Sequence, residues 1–263
     1  MANLDTIVAD LRAEGDELYA FLQSLDASDW TRATAFKAWT INDVVQHLYF
    51  GDYMGLTSHK NAEEFLAFMA AVQKAEMPLV AYTRQWLDGE TGSAMLERWH
   101  NQFMEMCDRF GDSDPDMRLT WAGPDMGISM FATARLMETW AHSWAIYDLL
   151  GLSRQQTDRI RHIATIGVKT YGWTFANRKL QPPAPPPYIR LVAPSGQVWE
   201  WNTPQDDNSV TGRAVEFCQV VTQVRNIADT QLTLAGVAAK QWMTIAQCFA
   251  GPPEEPPQKG VRG

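Results

Sequence analysis

Three side chains in two segments have the types and spacing of a metal site. Glu138 and His142, in Arg135-Leu-Met-Glu138-Thr-Trp-Ala-His142, are four residues apart. On a helix that spacing sets them on one face, about 40° apart in projection. A carboxylate and an imidazole so placed can share one divalent ion. A third donor must come from another helix, and His47 in Val44-Val-Gln-His47-Leu48 is the candidate, because its apolar neighbours turn that segment toward a core. Two imidazoles and one carboxylate leave positions for water or substrate, as a catalytic rather than a structural ion needs. The same spacing also suits an ordinary helix-surface pair. Arg135 can bond Glu138 at i,i+3, and a core histidine commonly makes just one hydrogen bond, so spacing alone keeps both readings open. Among the other histidines, His100 between Trp99 and Asn101 is the substitute ligand to weigh, and it reads better as a structural or pocket-rim residue.

The elements that must position these groups are mostly helical. Leu4, Ile7, Val8, Leu11, Leu18 and Leu22 recur at spacings of three, four and seven, an amphipathic stripe. Thr40 predicts an N-cap with Asp43 completing a capping box, which opens the helix that carries His47. Further helices are expected at 61–74, 93–110 and 129–150, the last ending at Gly151 as a C′ glycine. A long helix is expected over 153–179. Five prolines in 181–187 cannot continue it and favour an extended seam between subdomains. Beyond it, Tyr188-Ile-Arg-Leu-Val192, a Pro-Ser-Gly turn and Val198-Trp-Glu-Trp-Asn202 predict a hairpin, followed by helices at 212–225 and 234–249. The expected organisation is an antiparallel helical bundle over 1–180, the linker 181–187, an α/β subdomain over 188–250 and a tail over 251–263, either an ordered arm or a loose end.

Composition narrows the function. The 263 residues are 46% hydrophobic and 20% charged, enough apolar content for a full core. A net charge of −9 argues against a nucleic-acid footprint and against adhesion to anionic lipid. No apolar run approaches the roughly 20 residues of a membrane span, and the first residues lack a basic-then-apolar leader, so a cytoplasmic location is expected. Cys107, Cys218 and Cys248 lie far apart without a CxxC, which signals neither a disulfide framework nor a thiolate zinc site. They read as buried small hydrophobes, the last two on the final helices. Eleven Trp and twelve Met are unusually many; such residues fill cores and also line apolar pockets. Trp39, Trp121, Trp140 and Trp144 cluster around the candidate ligands in sequence. Trp140, two before His142, points away from the ligand face, whereas Trp121 and Trp144 are the expected pocket walls for a partly apolar substrate. Asp52, beyond His47 on the same helix, is a candidate acceptor behind a ligand imidazole, or a solvated carboxylate.

These residues carry a resemblance. Trp39-Thr-Ile-Asn-Asp-Val-Val-Gln-His47-Leu and Ala134-Arg-Leu-Met-Glu138-Thr-Trp-Ala-His142, in that order and register, resemble the DinB-like superfamily. More narrowly they are similar to its mycothiol-dependent maleylpyruvate isomerase branch. The similarity extends through Tyr188-Ile-Arg-Leu, Ala193-Pro-Ser-Gly, Val210-Thr-Gly-Arg-Ala-Val-Glu-Phe-Cys and Ala246-Gln-Cys-Phe-Ala-Gly-Pro-Pro. It implies a mainly α fold, a four-helix bundle with a small α/β C-terminal subdomain, holding one divalent metal, usually zinc, on His47, Glu138 and His142. It further implies an isomerase chemistry in which a low-molecular-weight thiol, mycothiol or glutathione, adds to an activated double bond, the bond rotates, and elimination returns the other isomer. Arg225 matches the position of a substrate-side arginine; an arginine near a helix C-terminus also offsets the dipole with no ligand. One departure concerns the second histidine, where relatives commonly carry Asp three residues on and this chain has Ala145. The expectation is a metal-dependent enzyme, a thiol-dependent isomerase or transferase acting on an unsaturated, partly apolar small molecule, as a monomer or homodimer. The alternatives are a thiol-free hydratase, dehydratase or hydrolase, and a non-catalytic binder of apolar ligands.

Overall fold

The computed structural model describes residues 3–121 and 125–261. The chain packs as two compact units, Met1–Ile146 and Tyr147–Gly263.

In the first unit, α1 (Leu4–Gln23), α2 (Ile41–Lys60), α3 (Ala62–Lys74), α4 (Leu79–Trp86), α5 (Gly92–Gly111) and the start of α6 (Ile128–Leu150) follow in order. A two-residue antiparallel ribbon, β1 (Arg118–Leu119) and β2 (Met126–Gly127), leads into α6. Helices α1, α2, α5 and α6 make the expected bundle, with α5 packed on both α1 and α2. Its core is the predicted apolar stripe of α1 (Leu11, Leu18, Leu22) against Val44, Val45, Leu48, Trp99, Phe103, Leu136 and Trp140, all buried. The capping box forms as expected: the Asp43 amide donates to Thr40 Oγ1, and the Thr40 amide to the Asp43 carboxylate. Helices α2 and α6 approach closely because α2 carries glycine at 51 and 55, where side chains would overlap Arg135 and Phe131 of α6.

The segment between α3 and α5 corrects the sequence reading, which had no element there. α4 is short, and no side-chain hydrogen bond caps its start. It is fixed from outside, by a two-pronged ion pair from Arg84 to Asp43 at 2.6 and 2.7 Å.

The boundary between the units falls inside α6, whose last turn closes on Gly151 with φ +66°. The Leu152 amide donates to the Tyr147 carbonyl and the Gly151 amide to that of Asp148, a Schellman ending. The single helix expected at 153–179 is instead α7 (Arg161–Lys169) and α8 (Tyr171–Asn177), broken at Thr170. Thr170 Oγ1 donates back to the carbonyls of Ile166 and Gly167, a local bond that competes with helix continuation. The hairpin falls where predicted, as β3 (Tyr188–Val192) and β4 (Val198–Trp201). The two helices expected after it begin later. β5 (Ser209–Arg213) precedes α9 (Ala214–Val221), and β6 (Thr233–Ala235) precedes α10 (Val237–Ile245). The sheet order is β4-β3-β5-β6, with β3 and β5 parallel. Cys218 lies on α9 and Cys248 beyond the end of α10; all three cysteines are buried and free.

The proline-rich stretch 181–187 lies within the second unit. Proline has no N–H to donate to a ladder, and the carbonyls of this stretch are satisfied by side chains: Tyr171 Oη donates to Pro183, Asn208 to Pro185, Gln205 to Pro186 and Asn202 to Pro187. The tail is an ordered arm over its described residues, tied down by Asn177, Gln223 and Asn226 side chains that donate to the carbonyls of Gly251, Glu254 and Pro257.

Candidate metal centre

The three residues singled out by spacing converge. Capped by Thr40, α2 brings His47 to α6, on which Glu138 and His142 stand one turn apart. Glu138 Oε2 lies 3.5 Å from His47 Nε2 and 3.1 Å from His142 Nε2, and one ligand atom from each residue falls within 4.8 Å of the others. Two donors about 2.1 Å from one cation, at angles of 90–110°, lie about 3.0–3.4 Å apart. The donor set therefore fits a single divalent ion. Among the described residues no fourth His, Cys, Asp or Glu joins the group, so protein donors leave part of a coordination sphere open.

Electrostatics suit the same purpose. Burial, aided by the neighbouring His142, drives the His47 imidazole down to about 4, so it is neutral near pH 7. Burial pushes the Glu138 carboxyl up, but hydrogen bonds from His142 and His47 outweigh it and hold the group well below its usual range. The cysteines offer no competing nucleophile, since burial pushes the thiols of Cys107 and Cys218 up.

The aromatic walls are not the ones expected. Trp39 lies parallel to the His142 ring at 5.8 Å and 5.1 Å from that of His47, while Phe36 meets His142 edge-on at 5.1 Å. Both come from a hairpin, 33–40, that runs directly into α2 through the Ala33–Thr40 bridge. At its tip Lys37 and Ala38 have φ of 50° and 54°, and the Trp39 amide donates to the Phe36 carbonyl at 2.9 Å. Positive φ at both central residues makes this a I′ turn without the usual Asn or Gly. Phe36 escaped the sequence reading, although its three-residue spacing from Trp39 across a tight turn was the available signal.

The remaining expectations resolve differently. Trp121 stacks on Phe65 and meets Phe131, seven residues before Glu138 and so about 10 Å away along α6. Trp144 packs edge-on against Trp140, six residues past Glu138 and off its face. Asp52 is fully buried but does not back His47; its oxygens receive Arg135 Nε at 2.8 Å and Trp99 Nε1 at 2.9 Å. His100 pairs with Asp16 and stacks on Tyr19, a structural role. In the second unit, Arg225 grips the Asp148 carboxylate with both Nη atoms, at 2.8 and 2.6 Å.

A helical bundle holding an open His–Glu–His group, joined to a small α/β unit, defines a class of fold that matches known proteins. The family described as the mycothiol maleylpyruvate isomerase N-terminal domain matches residues 11–147, a span that includes all three donors. The chain belongs to this family. Two relatives from Mycobacterium tuberculosis, the uncharacterized proteins Rv0036c (strain H37Rv) and MT0041 (strain CDC 1551), are each 37% identical over 253 residues, covering 96% of this chain and 98% of theirs. The crystal structure of the mycothiol-dependent maleylpyruvate isomerase superposes with a TM-score of 0.53 at 13% identity, over 83% of this chain and 88% of that one. A histidine-to-alanine mutant of it gives the same TM-score at 12% identity. Likeness at that identity bears out the expected fold. Among the described residues no helix is long and apolar enough to cross a membrane.

Proposed function

We propose that this protein is a divalent-metal-dependent enzyme, a thiol-dependent isomerase or transferase acting on an unsaturated, partly apolar small molecule. The observation that carries the reading is the convergence of His47, Glu138 and His142 at separations suited to one cation, with no fourth His, Cys, Asp or Glu among the described residues to complete the set. These three residues would hold the ion, most simply zinc given two imidazoles and a carboxylate. Bound there, a divalent ion supplies Lewis acidity that favours the thiolate form of a thiol or polarises an oxygen of the substrate.

The chain's own residues define the rest. His47 is neutral near pH 7 and Glu138 ionised, so a shift of the imidazole proton from Nε2 to Nδ1 is all that His47 needs to turn a lone pair toward the cation. Trp39 and Phe36 wall the imidazoles with apolar rings, which exclude water and offer a flat face to a conjugated substrate. The nucleophilic sulfur must come from outside, because the chain's cysteines are buried; a mycothiol- or glutathione-like molecule is the proposed cofactor. Thiolate addition to one carbon of an activated double bond leaves a single bond free to rotate. Expulsion of the same thiolate restores the double bond in the other geometry, with no net oxidation and no atom consumed. Arg225 is the proposed carboxylate-binding group; both of its Nη atoms are engaged by Asp148, which a substrate carboxylate would displace.

Turnover of a conjugated keto acid by metal-loaded protein, with and without added low-molecular-weight thiol, tests the proposal. Isomerisation that requires the thiol is expected. Turnover indifferent to thiol would replace the isomerase reading with hydration or hydrolysis.

A further inference from the structure

Arg135 precedes Glu138 by three residues on α6, a spacing at which arginine and glutamate ordinarily pair. Here the arginine turns the other way. Its Nε donates to Asp52 Oδ1 at 2.8 Å and its Nη2 to the Leu48 carbonyl at 3.3 Å, both on α2. Among the described residues no hydrogen bond joins it to Glu138, whose Oε2 faces the two histidines.

Several features hold that pose. Asp52 is fully buried, and its second oxygen is fixed by Trp99 Nε1 at 2.9 Å. Gly51 leaves the space the guanidinium fills, since a Cβ there would lie 2.5 Å from Nη1. A buried ion pair is a poor source of stability, because apolar residues of equal volume often serve as well. Its presence between the two helices that carry the donors needs another reason.

We propose that Asp52 is a positioning residue for the metal centre, drawing Arg135 away from Glu138 so that this carboxylate stays available beside His47 and His142. The inference rests on the reading of those three residues as metal ligands. Without Asp52, the guanidinium becomes a buried cation with no counter-charge, and Glu138 is the carboxylate within i,i+3 reach on its own helix. Pairing there would occupy a donor oxygen and set a positive charge beside the cation's position. Both effects weaken metal binding.

The test is Zn²⁺ affinity of the chelator-stripped full chain, read against a chromophoric competitor, with folding followed by circular dichroism. Asp52→Asn is expected to weaken Zn²⁺ binding about 10–100-fold, the usual effect of losing a residue that orients a ligand. Adding Arg135→Met to that variant is expected to recover most of the loss, because the competing cation is gone. A purely architectural role moves the other way, leaving the double variant no better than the single. Gly51→Ala displaces the guanidinium by bulk alone and decides the matter should Asp52→Asn not fold; the same loss and the same rescue are expected. Folded single variants with unchanged Zn²⁺ affinity, or a loss that Arg135→Met fails to reverse, overturn the proposal. A wild-type chain that binds no Zn²⁺ would instead overturn the metal reading beneath it, so the two failures are distinguishable.

Discussion

The hairpin that delivers Phe36 and Trp39 to the histidines bends through two non-glycine residues in left-handed conformation, Lys37 and Ala38. An L-residue placed there gives up about 1–2 kcal/mol. Ala38→Gly removes that penalty but adds about 0.5–1 kcal/mol of backbone freedom to the unfolded chain, for a net gain of about 0.5–1 kcal/mol. Lys37→Asn adds about 0.5 kcal/mol, since asparagine tolerates this region. It forfeits the ammonium 5.4 Å from the centre of the Phe36 ring, worth about 0.5 kcal/mol at an exposed site. The Asn-Gly double variant is therefore expected to be about 0.5–1 kcal/mol more stable, or about 1–4 °C in Tm for a unit of this size. Urea and thermal unfolding read the gain, and Ala38→Val is the opposing control, a β-branched residue at positive φ that must lose stability. A double variant no more stable than wild type, or a tolerated valine, would refute the I′ geometry and with it the route by which the aromatic rings reach the site.

Other outcomes follow from the same geometry. Thr40→Ala removes the cap of the helix carrying His47 and is expected to cost about 1 kcal/mol in urea titrations. The folded His47 imidazole titrates near 4 against 6.5 unfolded, so metal-free protein should hold its full stability above about pH 6.5 and lose it as pH falls toward 4. The unfolded chain takes up that proton first, a swing of at most about 3 kcal/mol, and the difference between wild type and His47→Gln across this window isolates it. Arg225→Gln breaks the grip on Asp148, whose side chain is 25% exposed, and should destabilise the second unit by about 1–3 kcal/mol, below the cost for a fully buried pair. Calorimetry on the ligand-free protein measures it apart from any effect on substrate binding.

What the sequence disclosed was local. The Thr40 cap, the Glu138–His142 spacing and the Tyr188–Val192 hairpin each depend on residues within a few positions of one another, and they stand as expected. What it withheld depends on distant partners. The end of β5, Gly212 and Arg213, reads as the start of a helix until β3 arrives to pair with it. Asp52 reads as a neighbour of His47 until Arg135 and Trp99 claim its oxygens from two other helices. Trp121 and Trp39 each precede a ligand motif in sequence, and a tight turn in one case and a stack on Phe65 in the other decide which ring meets the imidazoles.

The central claim is that His47, Glu138 and His142 together bind one cation and leave it open to a ligand. Elemental analysis of protein purified without a histidine tag or chelator tests it most directly, with His47→Ala, Glu138→Ala and His142→Ala alongside. One divalent ion per wild-type chain, lost from each folded variant, is the expected result. A wild-type chain without metal, or a variant that keeps full occupancy, would contradict it.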